Sequence, residues 1–578
     1  MFRTLSFVRA LVSVALLSLL AEPACAEAEK VDLSAQYLGC DGFYAASDAS
    51  DNMTTFAGIL SLYNLPAFAG THTVPTNFGA SAVADCDRVL AAIPAKHWMR
   101  KVNLLRARAL HHLEARSPQD ALADIDAAEA AAAGKGDAYY LHSLGWSLDI
   151  VRAYALRRAG DQPKASALAL AALQRNPFNR LNVVAALEAI GPDASASDIR
   201  TVQLAITRLA PVVIGALFSD ALKTGRYDEV LKLHSQLTPP EEIGQVRISG
   251  YDQAGRNWRN FRTGVIFWAS CDGAYAYALA ASGRNDEAIA AISAARARLE
   301  KDTQPPPPLS EKQAKDNEAV ALHTGDVDIR VQSAQEGKGY IDKWERWVQM
   351  RIAASQGKGD LVFAALNDKS LPGDWTTVDL VETLRNTLAP AERTKLPSTL
   401  ALQQKLLLSA HKDVPDVAPI DLLRVLPEAE TSRRVPSYSE GASPWFGHSE
   451  TAIIGEGYRV SEAASIGVDT IGFRGDGTEP QAVIEEMALL CAADQARRKG
   501  KTGLIIVGRQ DIESTLTRTV YGRAVSTQPH GFETVLKVVF VDPTSLPDRF
   551  KDGAWRVLDV NAIYSALAPL YIKPAASR

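Results

Sequence analysis

Two adjacent histidines, His111 and His112, are the first residues whose types suggest metal chemistry. Chelation from a helix needs ligands one turn apart, at i and i+4. Neighbouring helical residues instead project about 100° apart. No second histidine or carboxylate completes an H-E-x-x-H pattern, so the pair reads as a partly buried helix position. Asp48, Ser50 and Asn52 begin a calcium-loop spacing. Met53 stands where that loop needs glycine and Ile59 where it needs a bidentate glutamate, which leaves a polar surface loop. Gly447-His448-Ser449 lacks the second glycine of a nucleophile elbow. Arg474-Gly475-Asp476 reads as a turn between strand and helix, and no phosphate-binding G-x-x-x-x-G-K-[ST] occurs. Cys491 falls on the apolar face of a helical stretch and reads as an inert core thiol. No catalytic residue, metal site or cofactor is expected from these patterns.

The N-terminus directs the chain out of the cytoplasm on this reading. Arg3 and Arg9 form a cationic leader, and Ala10 to Ala21 is uncharged and apolar. That stretch is shorter than the ~20 residues a spanning helix needs. Ala24-Cys25-Ala26 supplies an A-x-A cleavage pattern, so residues 1–26 are expected to be a signal peptide. Glu22, three positions before Cys25, argues against acylation there. The protein is expected to be periplasmic or secreted and soluble after cleavage, with no integral membrane segment. Its net charge of −5 and pI near 6.1 do not suggest a nucleic-acid partner. Cys40 and Cys86 flank a segment with little helical pattern, within residues 27–95, and are the expected disulfide.

The elements that must position any site are helices. Gly160 ends one helix, and Ala165, Ala169, Ala172 and Pro177 follow in a second. Gly283, Ala288, Ile292 and Ala295 repeat that register, with small residues Ala153 and Ala276 in the preceding helices. Small residues let paired helices lie close, and the proline stops the second helix. Two weaker units surround Ser117-Pro118 and Gly225-Tyr227, with Ser117 as an expected cap. Helices are also expected over Ser197–Leu209, Lys338–Ser355 and Thr399–Ser409. This spacing resembles the tetratricopeptide repeat. The resemblance implies a mainly α chain with a tetratricopeptide-like helical repeat array over residues 96–411. In that register Tyr154 and Tyr277 take the same groove-facing position, and Arg157 and Arg158 lie a turn beyond Tyr154. Aromatic and arginine side chains commonly anchor protein interfaces, so these four are the expected protein-binding residues. The other reading of the tyrosines is packing between neighbouring repeats.

Pro305–Pro308 must be extended, and residues 412–447 read as a linker. Residues 448–578 then follow the pattern strand, helix, strand, strand, helix and form a small C-terminal α+β domain. Its helix begins at the capping box Thr478-Glu479-Pro480-Gln481 and buries Val483, Ile484, Met487, Leu490 and Cys491 on one face. Asn561 is the expected cap of the last helix. FRGDG at Phe473–Gly477, ALLCAAD at Ala488–Asp494, LIIV at Leu504–Val507 and LDVNAIYSAL at Leu558–Leu567 carry a second resemblance. The stretch from Gly472 to Leu570 is similar to a family of small bacterial envelope lipoproteins of uncharacterised function. Their usual basic residue is replaced here by Cys491. The two resemblances together predict an exported envelope protein, without cofactor, that binds a protein or peptide partner on the concave face of its repeats. A spacer whose C-terminal domain docks to an envelope complex, and a hydrolase with scattered residues, are the alternatives.

Overall fold

A computed structural model describes residues 32–46, 53, 75–237, 251–368, 371, 374–412, 418–424, 426, 457–463, 467–475, 479–520 and 523–572. The signal-peptide expectation, Asp48, Ser50, Asn52, the Gly447–Ser449 triplet, Asp476 and Thr478 lie outside the described residues. The chain is mainly helical, with one small antiparallel sheet near the C-terminus.

Helix α1 (Ser34–Cys40) and α2 (Ala80–Ala92) are tied by a disulfide between Cys40 and Cys86, as the cysteine pattern predicts. Closing a loop of this length stabilises a chain by ~4 kcal/mol on the chain-entropy view. Helical pairs follow: α3 (Trp98–Glu114) with α4 (Pro118–Ala132), and, after the short α5 (Ala138–His142), α6 (Leu144–Arg158) with α7 (Gln162–Arg175). Next come α8 (Arg180–Ile190), α9 (Ala196–Leu209), and the pair α10 (Ile214–Lys223) and α11 (Tyr227–His234). The pair α12 (Tyr251–Ala281) and α13 (Asn285–Asp302) leads through the extended proline run to the long α14 (Asn317–Ser355). The helices α15 (Asp360–Asn367), α16 (Trp375–Thr387), α17 (Pro390–Arg393) and α18 (Thr399–Lys412) close the helical part.

One turn recurs within these pairs. Gly160, Gly225, Gly283 and Gly357 all have positive φ. Beyond each glycine an amide reaches back five residues: Asp161 to the Leu156 carbonyl (2.9 Å), Arg226 to Ala221 (2.8 Å), Arg284 to Leu279 (2.9 Å) and Lys358 to Ala353 (2.9 Å). This closure satisfies helix-end carbonyls, and glycine adopts it without a Cβ clash. Between α3 and α4 the same closure, Ser117 to His112 at 2.8 Å, forces Arg116 into positive φ. Ser117 makes no side-chain cap there, contrary to the expectation. The small residues of the register, Ala153, Ala165, Ala169, Ala172, Ala276, Ala288 and Ala295, are buried where paired helices meet.

The sheet holds β1 (Gly457–Ala463), β2 (Val468–Arg474), β3 (Gly503–Val520), β4 (Arg523–Val541) and β5 (Leu558–Asp559), in the order β1-β2-β4-β3-β5. The pattern read from sequence omits β1 and the full reach of the β3–β4 hairpin. Helix α19 (Gln481–Arg498) lies against β2 and β4 and packs on α20 (Val560–Tyr571). Pro480 stands at the α19 N-cap, and Asp559, not Asn561, caps α20 by accepting from the Ala562 amide at 2.8 Å.

Burial does not follow the expected boundary at residue 447. One apolar core takes in α3, α4 and α6–α9 together with β2, β3, β4, α19 and α20, and a second core is confined to α10–α16 and their neighbours. The 3-10 turn Pro419–Arg424, inside the expected linker, packs on α3 and buries Leu422 and Leu423. Helix α19 is therefore covered on nearly every side, and not along one stripe. Its buried residues include Glu485 and Glu486 beside Val483, Ile484, Leu490 and Cys491.

Candidate functional site

The buried carboxylates of α19 mark the place where the helical part meets the sheet part. A carboxylate out of water survives only with charged or hydrogen-bonded partners. Glu486, 3 % exposed, finds three. Its Oε2 accepts from His142 Nε2 at 2.9 Å and from the Tyr571 hydroxyl at 2.6 Å. Its Oε1 accepts from Asn179 Nδ2 at 2.8 Å.

Helix ends place these donors. Asp137 caps α5 by accepting from the Tyr140 amide at 2.9 Å, which sets His142 in the last turn of that helix. Asn179 caps α8: its Oδ1 accepts from the Leu181 amide (2.9 Å), which turns its Nδ2 towards Glu486. Asn176, at the end of α7, donates to the His142 carbonyl at 3.0 Å. Burial pulls the His142 imidazole down, but the adjoining Glu486 carboxylate outweighs it and holds the ring above its ordinary 6.5. Burial likewise pushes Glu486 up, and the charge and hydrogen bond of His142, with the Tyr571 and Asn179 bonds, bring it below the ordinary 4.5.

Glu485 anchors the neighbouring charges. Arg180, the first residue of α8, donates to its Oε1 at 2.9 Å, and Arg509 Nη2 of β3 lies 2.7 Å from its Oε2. Arg509 Nε also pairs with Asp511 at 2.9 Å, and its Nη1 donates to the Leu209 carbonyl at the end of α9. Thr534 completes Asp511 at 2.9 Å. Burial raises Asp511, yet Arg509 more than offsets it and keeps the carboxyl below its ordinary range.

His142 forms part of the wall of an open cleft of about 690 Å³, shared with Tyr140, Trp146, Asp149, Arg175 and Leu570. A small cavity of about 20 Å³ on the Glu486 side, the size of one water site, also touches His142. Leu141, 63 % exposed, stands at the cleft.

The residues expected to bind a partner lie elsewhere. Tyr154 and Tyr277 are both fully buried, in separate cores, and line no exposed groove. The Tyr154 hydroxyl accepts from Arg158 Nη2 at 2.7 Å, while the Arg157 guanidinium lies over the ring at 4.6 Å. Arg157 is turned to α8, where its Nε donates to the Ala189 carbonyl at 3.1 Å. Tyr277 donates to Asp379 at 2.8 Å, and Arg351 holds the same carboxylate at 2.7 Å. Packing accounts for both positions: Arg157 and Arg158 lie over the Tyr154 ring, and Tyr227 of α11 and Trp344 of α14 pack against Tyr277. His111 is spent on the Cys40 carbonyl at 2.7 Å. Among the described residues no group of three or more histidines, cysteines or acids could hold a metal ion.

Set against known proteins, the chain matches no family model, no curated protein and no solved structure. The site must therefore be read from its own chemistry. Its acid and base stand 344 residues apart in sequence, so no motif spacing points to them. The available signal was two consecutive glutamates in a helix apolar around its circumference.

Proposed function

We propose that this chain is an exported cell-envelope protein of tetratricopeptide type that binds a protein or peptide partner, and that the cleft beside His142 is where it does so. The observation that carries this reading is the cleft itself. Its walls come from α4–α7 and from α20, so the C-terminal elements complete a surface that the helices alone would leave open. An exposed leucine beside aromatic walls, with charges of both signs at the rim, suits a polypeptide segment. The Cys40–Cys86 bridge suits an oxidising compartment, and among the described residues no helix is long and apolar enough to cross a membrane.

The test uses the intact protein and its Ala566→Trp variant. Ala566 is exposed on α20 and faces the cleft, so an indole there obstructs the space without entering the core. A partner cross-linked to the parent in the envelope should be lost from the variant at an unchanged melting temperature. A partner retained by the variant would place binding elsewhere.

A further inference from the structure

We infer that the cleft recognises a carboxylate, and that His142 Nδ1, the ring nitrogen left free by Glu486, and the Arg175 guanidinium are the groups that receive it. The inference rests on the binding reading above and names the chemistry of the ligand.

The hydrogen-bonding inventory of the wall leads there. His142 Nε2 is taken by Glu486, while Nδ1 has no partner among the described residues. A carboxylate-bound imidazole that carries both protons offers its second N–H outward. Arg175 pairs with Asp149 through Nη2, and its Nε and Nη1 donors have no partner among the described residues. The acceptors of the wall are differently placed. Asp149 is held by Arg175, and Glu129 accepts from Arg152 Nη2 at 2.9 Å. Asn176 Oδ1 is closed off from solvent. Two residues with unspent donors therefore line the cleft, each of its two acids is already paired with a guanidinium, and an incoming acceptor is what those donors can satisfy. Two donors on cationic groups favour a carboxylate over a neutral carbonyl. Leu141, Tyr140 and Leu570 supply an apolar wall beside it, which fits the terminal carboxylate of a peptide ending in an apolar residue.

The charge on His142 supports the same conclusion. The titratable and charged groups around it are Glu486 from α19, Tyr571 from α20, Arg175 from α7, Asp149 from α6, Glu129 from α4, and Tyr139 and Tyr140 of its own helix. Glu486 is the one in contact, and it holds the ring above 6.5. Tyr140 is pushed up by burial to about 12 and stays neutral. Ligand binding should accordingly be strong while His142 is protonated and weaken as pH rises through its raised pKa.

Calorimetry on the intact protein decides the matter, with N-acetyl-Ala-Ala-Leu, its C-terminal amide and N-acetyl-leucine as probes. Ring-labelled histidine resonances report contact, and the His142 signal is assigned by its loss in His142→Gln. The free-acid tripeptide should shift that resonance and bind at least tenfold tighter than its amide. Arg175→Gln, at an exposed side chain that cannot unfold the chain, should lower the affinity by a similar factor. Raising the pH past the His142 titration should do the same. Equal binding of acid and amide, both abolished by Ala566→Trp, would overturn the carboxylate inference and leave the peptide reading standing. N-acetyl-leucine binding as tightly as the tripeptide would keep the carboxylate site but overturn a peptide as its source. Absence of any effect of the three probes on His142 would overturn the carboxylate site. The binding reading would fall separately if Ala566→Trp kept the partner.

Discussion

A histidine and a glutamate contributed by α5 and α19 act on one another strongly because the glutamate is buried and most of the histidine ring is withdrawn from water. For Glu486→Gln, the acceptor of His142, Tyr571 and Asn179 loses its charge. Removing one partner of a buried pair costs about 3–5 kcal/mol. The variant should lose about that much in urea unfolding, and the His142 titration should drop, since burial then acts unopposed. The pH dependence has a definite sign. His142, raised in the fold, contributes stability that is complete below 6.5 and fades as pH rises through its folded pKa. Glu486, lowered in the fold, contributes stability that is complete above 4.5 and fades as pH falls through its folded pKa. The gap in urea midpoint between parent and Glu486→Gln should therefore be widest between these two values. A gap independent of pH would mean that the pair does not carry the charge assigned to it. Tyr154 obeys a different rule. Its complete burial predicts that Tyr154→Ala costs ~3–5 kcal/mol and unfolds early, with partner capture weakened only through lost structure.

At the scale of elements, the glycine turns between paired helices were legible in the sequence and the seam was not. Gly160 and Gly283 announced their turns because only glycine takes positive φ without strain, and the structure places both there. Nothing lies within 4 Å of a Cβ at Gly283, so Gly283→Ala should cost about 1 kcal/mol through backbone strain alone. Gly273 on α12 is the opposite case. A Cβ there would sit 2.3 Å from the Trp344 ring of α14, so Gly273→Ala should destabilise by roughly 1–3 kcal/mol through overpacking. Thermal melts of the two variants check both costs, and a Gly273→Ala variant as stable as the parent would contradict the close α12–α14 approach. Strand β1 escaped the sequence reading because Gly457–Ala463 carries Arg459, Ser461 and Glu462 and no strong apolar alternation. The sequence reading also stopped short of the outer parts of β3 and β4, where the two strands continue to pair with each other beyond Ile512 and Glu533. The α19 stripe was read too narrowly, since periodicity shows one buried face and cannot show that a second set of helices covers the other.

Over the whole molecule, the continuous core from α3 to α20 makes the helical part and the sheet part depend on each other. The salt-bridged run Arg180–Glu485–Arg509–Asp511 crosses the same junction. Reducing Cys40–Cys86 should lower stability by ~4 kcal/mol without opening the cleft, since the bridge sits in a small core of its own with Leu104 and Ala107 of α3, and none of its residues lines the cleft. Composition announced a helical chain, and cysteine placement announced the bridge. The union of the two parts was not announced, because it rests on side chains more than 300 residues apart. The most direct measurement of the central claim is hydrogen–deuterium exchange on the intact protein with and without its captured partner. Protection should concentrate on residues 129–149, on Arg175 and Asn176, and on Ala566–Leu570. Protection confined to α10–α18, with the cleft segments unchanged, would contradict it.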